Sequence, residues 1–266
     1  MNELDFIWNA LEAVRKSGPL ILSVTNYVAA NLNANALLAV GASPIMSHQV
    51  AEIEDLVTIS SAVVVNMGIP ADTLPEALYL AGQCANTMGK PLIFDPVGAG
   101  ASSYRNKVCN KLLTTSSPDI IRGNASEIMA LAGQSRATKG VDSLHGTTEA
   151  SSSAIELAKQ YNCTVCVSGA VDLITDGNRS LFVGNGHSMM PRITGLGCTA
   201  TALAGAFAAV VKDKVDALTS CMAILGIAGE IAAESSNGPG SLQIGIVDKL
   251  FNISREEIEM KINLSM

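Results

Sequence analysis

Aromatic residues are scarce: they form 4% of the 266-residue chain, with a single tryptophan. A core of this size is therefore built from aliphatic and small side chains, which make up most of the 48% hydrophobic content. Positive charge is also short, with 17 Lys and Arg against 24 Asp and Glu, a net charge of −7. That balance argues against a nucleic-acid surface and against an anionic membrane. It leaves a nucleotide ligand open, because backbone amides and one or two local cations hold phosphates. The N-terminus lacks a basic stretch before an apolar run: Met1 to Gly18 carries Glu3, Asp5 and Glu12 and does not read as a signal peptide. The longest uncharged apolar run, after Cys198, is too short to span a bilayer comfortably. A cytoplasmic protein is expected, with no membrane partner, and its six cysteines are then reduced thiols. Cys163 and Cys166 have CxxC spacing but lie in a β-rich run, where residues three apart face opposite ways. Both read as core packing. His48, His145 and His187 are scattered and form no metal-ligand spacing.

What is present is an alternation of apolar strands and helices. Strands are expected at Leu20–Val24, Ala62–Val65, Pro91–Phe94, Asp119–Ile121 and Cys163–Val167. Helices are expected at Glu3–Lys16, Asn31–Val40, Leu74–Met88, Tyr104–Leu113, Ala125–Ala132 and Thr148–Tyr161. Asp176-Gly177 signals a hairpin between two short strands, and loops are expected at Met46–His48 and Gly140–Gly146. Near-continuous apolar strands separated by helices predict an α/β fold with a mostly parallel sheet covered on both faces. No repeat, charge block or linker divides the chain, so residues 1–266 read as one domain.

The chemistry concentrates at strand ends. In an open parallel sheet the carboxyl ends of the strands line the ligand crevice. Here those ends carry Asn26, Asn66 with Gly68, Asp95, Arg122 and Ser168. Asp95 offers a carboxylate for a magnesium ion, Arg122 a permanent cation for phosphate, and Asn26 an amide for a small polar ligand. Asn124-Ala-Ser-Glu127 has two readings, a helix capping box and a second carboxylate for magnesium. The run Ile193–Val211 opens with Thr194-Gly195-Leu196-Gly197-Cys198 and continues as a small-residue helix. A glycine turn opening a helix exposes unpaired N–H groups at the positive helix end, a site for an anion such as a transferring phosphoryl group. The same helix end is expected to favour the Cys198 thiolate. The alternative is a tight turn into a buried helix.

Val24-Thr-Asn-Tyr-Val28, Ala34–Pro44, Asp95-Pro-Val-Gly-Ala-Gly100, Arg122-Gly-Asn-Ala-Ser-Glu127, Thr175-Asp-Gly177 and Thr194-Gly-Leu-Gly-Cys198 occur in this order. As a set, over about Leu20 to Leu250, they closely resemble the hydroxyethylthiazole kinase family. The resemblance implies a ribokinase-like three-layer α/β sandwich. It implies transfer of the ATP γ-phosphate to the alcohol of 4-methyl-5-(2-hydroxyethyl)thiazole, in thiamine salvage, by a homotrimer with sites at subunit contacts. Carried over by position, Arg122, Ser168 and Thr194 would contact ATP, and Asp95 and Glu127 would serve Mg2+. Asn26, Met46, Gly68 and Gly195 would line the thiazole pocket, with Cys198 beside the reacting alcohol as catalytic residue. Without the resemblance Met46 reads as packing. Ser168 stands where the family commonly has Thr, and Leu196 where it often reads TGTGC. Related kinases carry Asp at the place of Cys198, so base and positioner both remain open roles. Competing readings are another small-alcohol kinase, such as hydroxymethylpyrimidine kinase, and a non-catalytic nucleotide-binding regulator. A dinucleotide-dependent oxidoreductase is disfavoured, since no G-x-G-x-x-G follows the first strand.

Overall fold

The computed structural model describes residues 5–70, 73–133 and 144–266, the side chains of residues 144–149 excepted. Of the expected loop at 140–146, residues 140–143 fall outside these residues, whereas 144–146 open a helix that was expected to start at Thr148; the start of the first expected helix and the side chain of His145 also fall outside. In chain order the elements are α1 (Asp5–Ser17), β1 (Leu20–Val24), α2 (Tyr27–Val40), β2 (Ser43–Met46), α3 (Ile53–Ile59), β3 (Ala62–Asn66) and α4 (Leu74–Thr87). There follow β4 (Leu92–Asp95), α5 (Ser103–Thr115), β5 (Ile120–Asn124), α6 (Ala125–Leu131), α7 (Leu144–Tyr161) and β6 (Thr164–Ser168). The chain continues through β7 (Asp172–Thr175), β8 (Ser180–Val183), α8 (Leu196–Val210), α9 (Lys214–Ala233), α10 (Pro239–Asn252), α11 (Arg255–Lys261) and β9 (Leu264–Ser265).

The strands form one sheet in the order β2-β1-β3-β4-β5-β6-β7-β8-β9. The first six are mutually parallel, and β7, β8 and β9 each run antiparallel to the preceding neighbour. Alternate strand residues feed two separate cores. Ile21, Val64, Ile93, Ile120 and Cys166 pack beneath α1, α2, α8, α9 and α10. Leu22, Val63, Val65, Phe94, Ile121 and Val165 pack beneath α3, α4, α5, α6 and α7. This three-layer arrangement agrees with the expected architecture. It also separates Cys163 from Cys166, which lie in different cores, so the pair is packing.

The topology fixes where a ligand belongs. From β1 the chain moves outward to β2 through α2, then returns past β1 to β3 through α3. The two connecting helices lie on opposite faces. The carboxyl ends of β1 and β3 thus flank a topological switch point, where open α/β sheets form their crevice.

Several elements depart from expectation. Helix α2 starts at Tyr27 rather than Asn31 because Asn26 caps it, its side chain accepting from the Ala29 N–H at 3.2 Å. Tyr27 and Val28 are exposed, which breaks the amphipathic pattern that would reveal this first turn. Ser43–Met46 is strand β2, not a loop, and tolerates Pro44 because it is an edge strand. The C-terminal β9 and α11 were not expected; α11 opens with a capping box between Ser254 and Glu257. Helix α9 is long and apolar enough to cross a membrane, yet 83% of its apolar window is buried within the protein, as befits a core helix.

Helix α8 lies close on the sheet because Gly205 replaces a side chain there. A Cβ at Gly205 would come within 2.8 Å of Val64 Cγ2 and 3.1 Å of Ile21 Cγ2. Gly205→Val should therefore lower stability by about 1–3 kcal/mol through overpacking. Urea denaturation checks this, and an unchanged midpoint would contradict the close packing.

Candidate active site

Two helix N-termini meet at the switch point. Asn26 caps α2, and Gly195 caps α8 with a left-handed backbone (φ 84°) that a β-carbon would strain. The Gly195 turn sits against α2: a Cβ there would lie 3.3 Å from both Cα and Cβ of Ala29. Thr199 Oγ1 donates to Asn33 Oδ1 at 2.9 Å, which ties the first turn of α8 to α2. The first N–H groups of a helix have no intrahelical acceptor. That of Leu196 meets Ile193 O at 3.3 Å, which leaves those of Gly197 and Cys198 for a ligand.

From this end a hydrogen-bonded chain crosses the strand termini. Asn26 Nδ2 donates to Cys198 Sγ at 3.6 Å and to Asn66 Oδ1 at 2.9 Å. Asn66 Nδ2 donates to Asp95 Oδ2 at 2.7 Å. Thr201 Oγ1, one turn beyond Cys198 on α8, donates to the same Asp95 oxygen at 2.8 Å. Gly68 N–H donates to Asn66 Oδ1 at 2.9 Å. The register explains the chain: Asn66 and Asp95 are paired residues at the ends of β3 and β4. Gly68 is required sterically, because a Cβ there would collide with the Asn26 amide.

Arg122 lies on the next strand, β5, and is 8% exposed. Its Nε is buried without a hydrogen-bond partner. A Cβ on Gly197 would sit 3.3 Å from Arg122 Nη1, so the guanidinium adjoins the start of α8. Burial lowers the Arg122 pKa, Asp95 raises it, and the net direction is up. Arg122 therefore remains a cation.

Asp95 is pushed up to about 7, first by burial and further by the negative charge of Glu127, against the opposing pull of Arg122. Glu127 makes the capping box with Asn124, its Oε2 accepting the Asn124 N–H at 2.8 Å. Its Oε1 accepts the Gly98 N–H at 2.7 Å. A carboxylate oxygen accepts two hydrogen bonds, so each keeps a lone pair. Two carboxyl groups near enough for the charge of Glu127 to act on Asp95 offer only oxygen donors, which suit a hard divalent cation. Among the described residues no cluster of three or more His, Cys, Asp or Glu offers a complete metal cage. Magnesium held by one or two carboxylates plus substrate phosphates fits this donor set.

Cys198 departs from expectation. Burial first, and then the nearby Asp95, push its thiol up to about 11, outweighing the neighbouring Asn66 and Asn26 amides and the pull of Arg122. It is a thiol at neutral pH, not the thiolate expected from the helix end alone.

The remaining expected residues lie at the same edge of the sheet without entering the chain of amides. Met46 is half-buried at the end of β2, beside β1. Ser168 pairs with Asn124 in register, and its hydroxyl donates to Gly123 O at 3.3 Å. Thr194 is exposed, immediately before Gly195. Sequence reasoning placed Asn66 at a strand end without giving it a role, and passed over Thr201 and Arg105. Arg105 donates from Nη1 to Met67 O and Val97 O and from Nη2 to Gly68 O at 3.0, 2.6 and 2.8 Å, tying together the loops after β3 and β4. The first turn of a helix with no motif gave no sign of this arginine. For Thr201, the three-residue spacing from Cys198 on one helix was the available signal.

The architecture and the anion-ready helix end define a ribokinase-like enzyme class. A solved Staphylococcus aureus pyridoxal kinase in complex with AMP-PCP and pyridoxal shares the fold, with a TM-score of 0.61 at 15% identity, over 79% of this chain and 87% of that one. The structure of hydroxyethylthiazole kinase from Pyrococcus horikoshii OT3 matches far more closely: TM-score 0.91, 39% identity, 98% of both chains. The model of the hydroxyethylthiazole kinase family matches residues 11–256, and the chain belongs to that family. Hydroxyethylthiazole kinase of Oleidesulfovibrio alaskensis is 45% identical over 264 residues, 99% of each chain. That of Leptospira biflexa is 47% identical over 257 residues, 95% of each. This similarity does not favour the hydroxymethylpyrimidine kinase or regulator readings.

Asp95 supplies a pH test. Its folded pKa of about 7 exceeds the ordinary 3.8, so folding binds its proton more tightly. The stability it contributes is full below the unfolded pKa and is lost as pH rises through the folded one. In ligand-free protein, the unfolding free energy of the wild type relative to Asp95→Asn should fall as pH rises from 3.8 to about 7. Denaturant titrations across that window check it, and a flat difference would contradict the assignment.

Proposed function

We propose that this protein, working as one domain, transfers the γ-phosphate of ATP to the primary alcohol of 4-methyl-5-(2-hydroxyethyl)thiazole. The observation that carries the reading is the buried Arg122 guanidinium, with Nε unpartnered, beside the open N-terminus of α8. A buried cation next to free backbone N–H groups is arranged for a multiply charged anion. The family membership narrows that anion to the phosphates of ATP and the acceptor to the thiazole alcohol.

In this reading the hydroxyl oxygen attacks the γ-phosphorus, a new O–P bond forms, and the bond to the bridging oxygen breaks to release ADP. Phosphoryl transfer passes through a loose transition state with charge on the equatorial oxygens, so catalysis is mainly positioning and electrostatics. The N–H groups of Gly197 and Cys198 stabilise that charge together with Arg122. Ser168 and Thr194 contact the nucleotide. Asp95 and Glu127 would hold magnesium, which neutralises charge on the phosphate oxygens when bound. Asn26, Met46, Gly68 and Gly195 line the thiazole pocket. Cys198, a thiol, orients the alcohol beside the Asn26 amide; a base is not needed early, because a loose transition state leaves the nucleophile's proton in place until late, when it passes to an oxygen of the transferred phosphoryl group and from there to solvent. Tyr27, Val28 and Ile69 are exposed apolar residues beside Asn26 and Gly68, and a second copy of the chain in a homotrimer would cover them.

Purified protein with ATP, magnesium and hydroxyethylthiazole should yield the thiazole phosphate by mass spectrometry. Cys198→Ala should lower kcat on the order of 10²-fold without abolishing it, the cost of a misplaced acceptor. Cys198→Asp should retain activity, since a carboxylate can position the alcohol equally well. An unimpaired Ala variant, or a folded, ATP-binding Asp variant with no turnover, would contradict this role.

A further inference from the structure

We infer that Asn66 is a positioning residue that holds the alcohol side and the phosphate side of the site in one fixed register. The inference rests on the kinase reading and adds a residue to it. Asn66 is 1% exposed, so it does not touch solvent and acts through its neighbours.

Each amide in the chain has one permitted orientation. The Ala29 N–H faces Asn26 Oδ1, so the Asn26 NH2 group points away from its helix. The Gly68 N–H faces Asn66 Oδ1, so the Asn66 NH2 group points at Asp95. Flipping either amide would set donor against donor and acceptor against acceptor. The Asn26 NH2 group has two hydrogens. One is taken by Asn66 at 2.9 Å and the other is aimed at Cys198 Sγ at 3.6 Å. Asn66 therefore decides where the second Asn26 hydrogen points, and that is where the acceptor alcohol sits in the proposed function.

On its other side Asn66 shares Asp95 Oδ2 with Thr201. Two donors on one oxygen fix the carboxylate plane and leave the other oxygen, Oδ1, for the phosphate side. The turn that carries Gly68 is itself held, because Arg105 bonds the carbonyls of Met67, Gly68 and Val97. The loop after β4, which carries Val97, continues to Gly98, whose N–H meets Glu127. Asn66 thus joins two groups that must be aligned for in-line transfer. Removing it leaves nucleotide contacts at Arg122 and the α8 end in place but frees Asn26 to rotate.

The test compares wild type, Asn66→Ala and Asn66→Asp as full-length enzymes with ATP, magnesium and hydroxyethylthiazole. For Asn66→Ala, kcat for thiazole phosphate should fall about 10²-fold, as for a 1 Å misplacement. KM for ATP should stay near the wild-type value, and a larger share of ATP turnover should end as free phosphate. Asn66→Asp keeps an acceptor for Asn26 and Gly68 but cannot donate to Asp95. It should keep KM for thiazole near wild type while kcat falls. A purely structural residue would lower the melting temperature and leave kcat per folded enzyme and the coupling ratio unchanged, and that result in either folded variant overturns the inference. If Asn66→Ala does not fold, Asn66→Asp, of the same shape, carries the test. If wild type makes no thiazole phosphate, the kinase reading fails by itself. The Asn66 assignment is then decided by crystal structures: loss of the Asn26–Cys198 contact in the variant supports it, and retention overturns it.

Discussion

An arginine buried beside a helix N-terminus, with one N–H unpaired, is the constraint on which this site depends. An unsatisfied buried donor costs about 1–3 kcal/mol, and more when charged. Asp95 offsets part of that cost through its negative charge, and in turn its own carboxyl is driven up towards neutrality by burial. The charges of these side chains thus do not fully satisfy one another. Arg122 keeps one buried N–H without a partner, and the Asp95 carboxyl is raised by the charge of Glu127. A phosphate with its magnesium would complete both at once, which is why residues that cost the fold stability suit the proposed substrate.

The fold makes the arrangement possible through small residues in the right layer. Parallel strands bring Asn66, Asp95 and Arg122 of the adjacent β3, β4 and β5 to one side, together with Asn26 just beyond the neighbouring β1. Helix α8 then crosses that edge closely enough for Thr201 to reach Asp95 and for Gly197 to meet Arg122. Gly205 permits the approach lower down, where it faces Val64 and Ile21. A bulky helix would stand off the sheet, and its N–H groups would miss the cation. The scarcity of aromatic residues belongs to the same requirement, since Ala, Gly and Thr fill most of the buried face of α8.

Much of this was legible in the sequence because apolar strand runs end sharply in polar residues. Leu20–Val24 followed by Thr-Asn, and Ala62–Val65 followed by Asn, placed the crevice residues before any coordinates. What escaped depends on three-dimensional neighbours. Strand β2 contains a proline and four half-covered or exposed residues, so neither propensity nor burial pattern marked it; only edge pairing with β1 makes it a strand. Arg105 contributes through three carbonyls that lie 8, 37 and 38 residues away, a relation with no local signature. The Cys198 thiolate was expected from the helix end alone, whereas burial and Asp95, 103 residues earlier in the chain, decide the charge. Glu127 had two readings; the capping box is formed, and both oxygens retain acceptor capacity, so the first reading leaves room for the second.

The central claim is that Arg122 is kept for an anion and not for the fold. Arg122→Met fills similar space without the charge, and at pH 6 Asp95 can take a proton to compensate. Titration calorimetry with a non-hydrolysable ATP analogue, beside thermal melting of the ligand-free protein, tests the claim directly. The account predicts an affinity loss of about 10–10²-fold with a melting temperature at or above that of the wild type. Unchanged nucleotide affinity with a lowered melting temperature would show that Arg122 serves the fold instead.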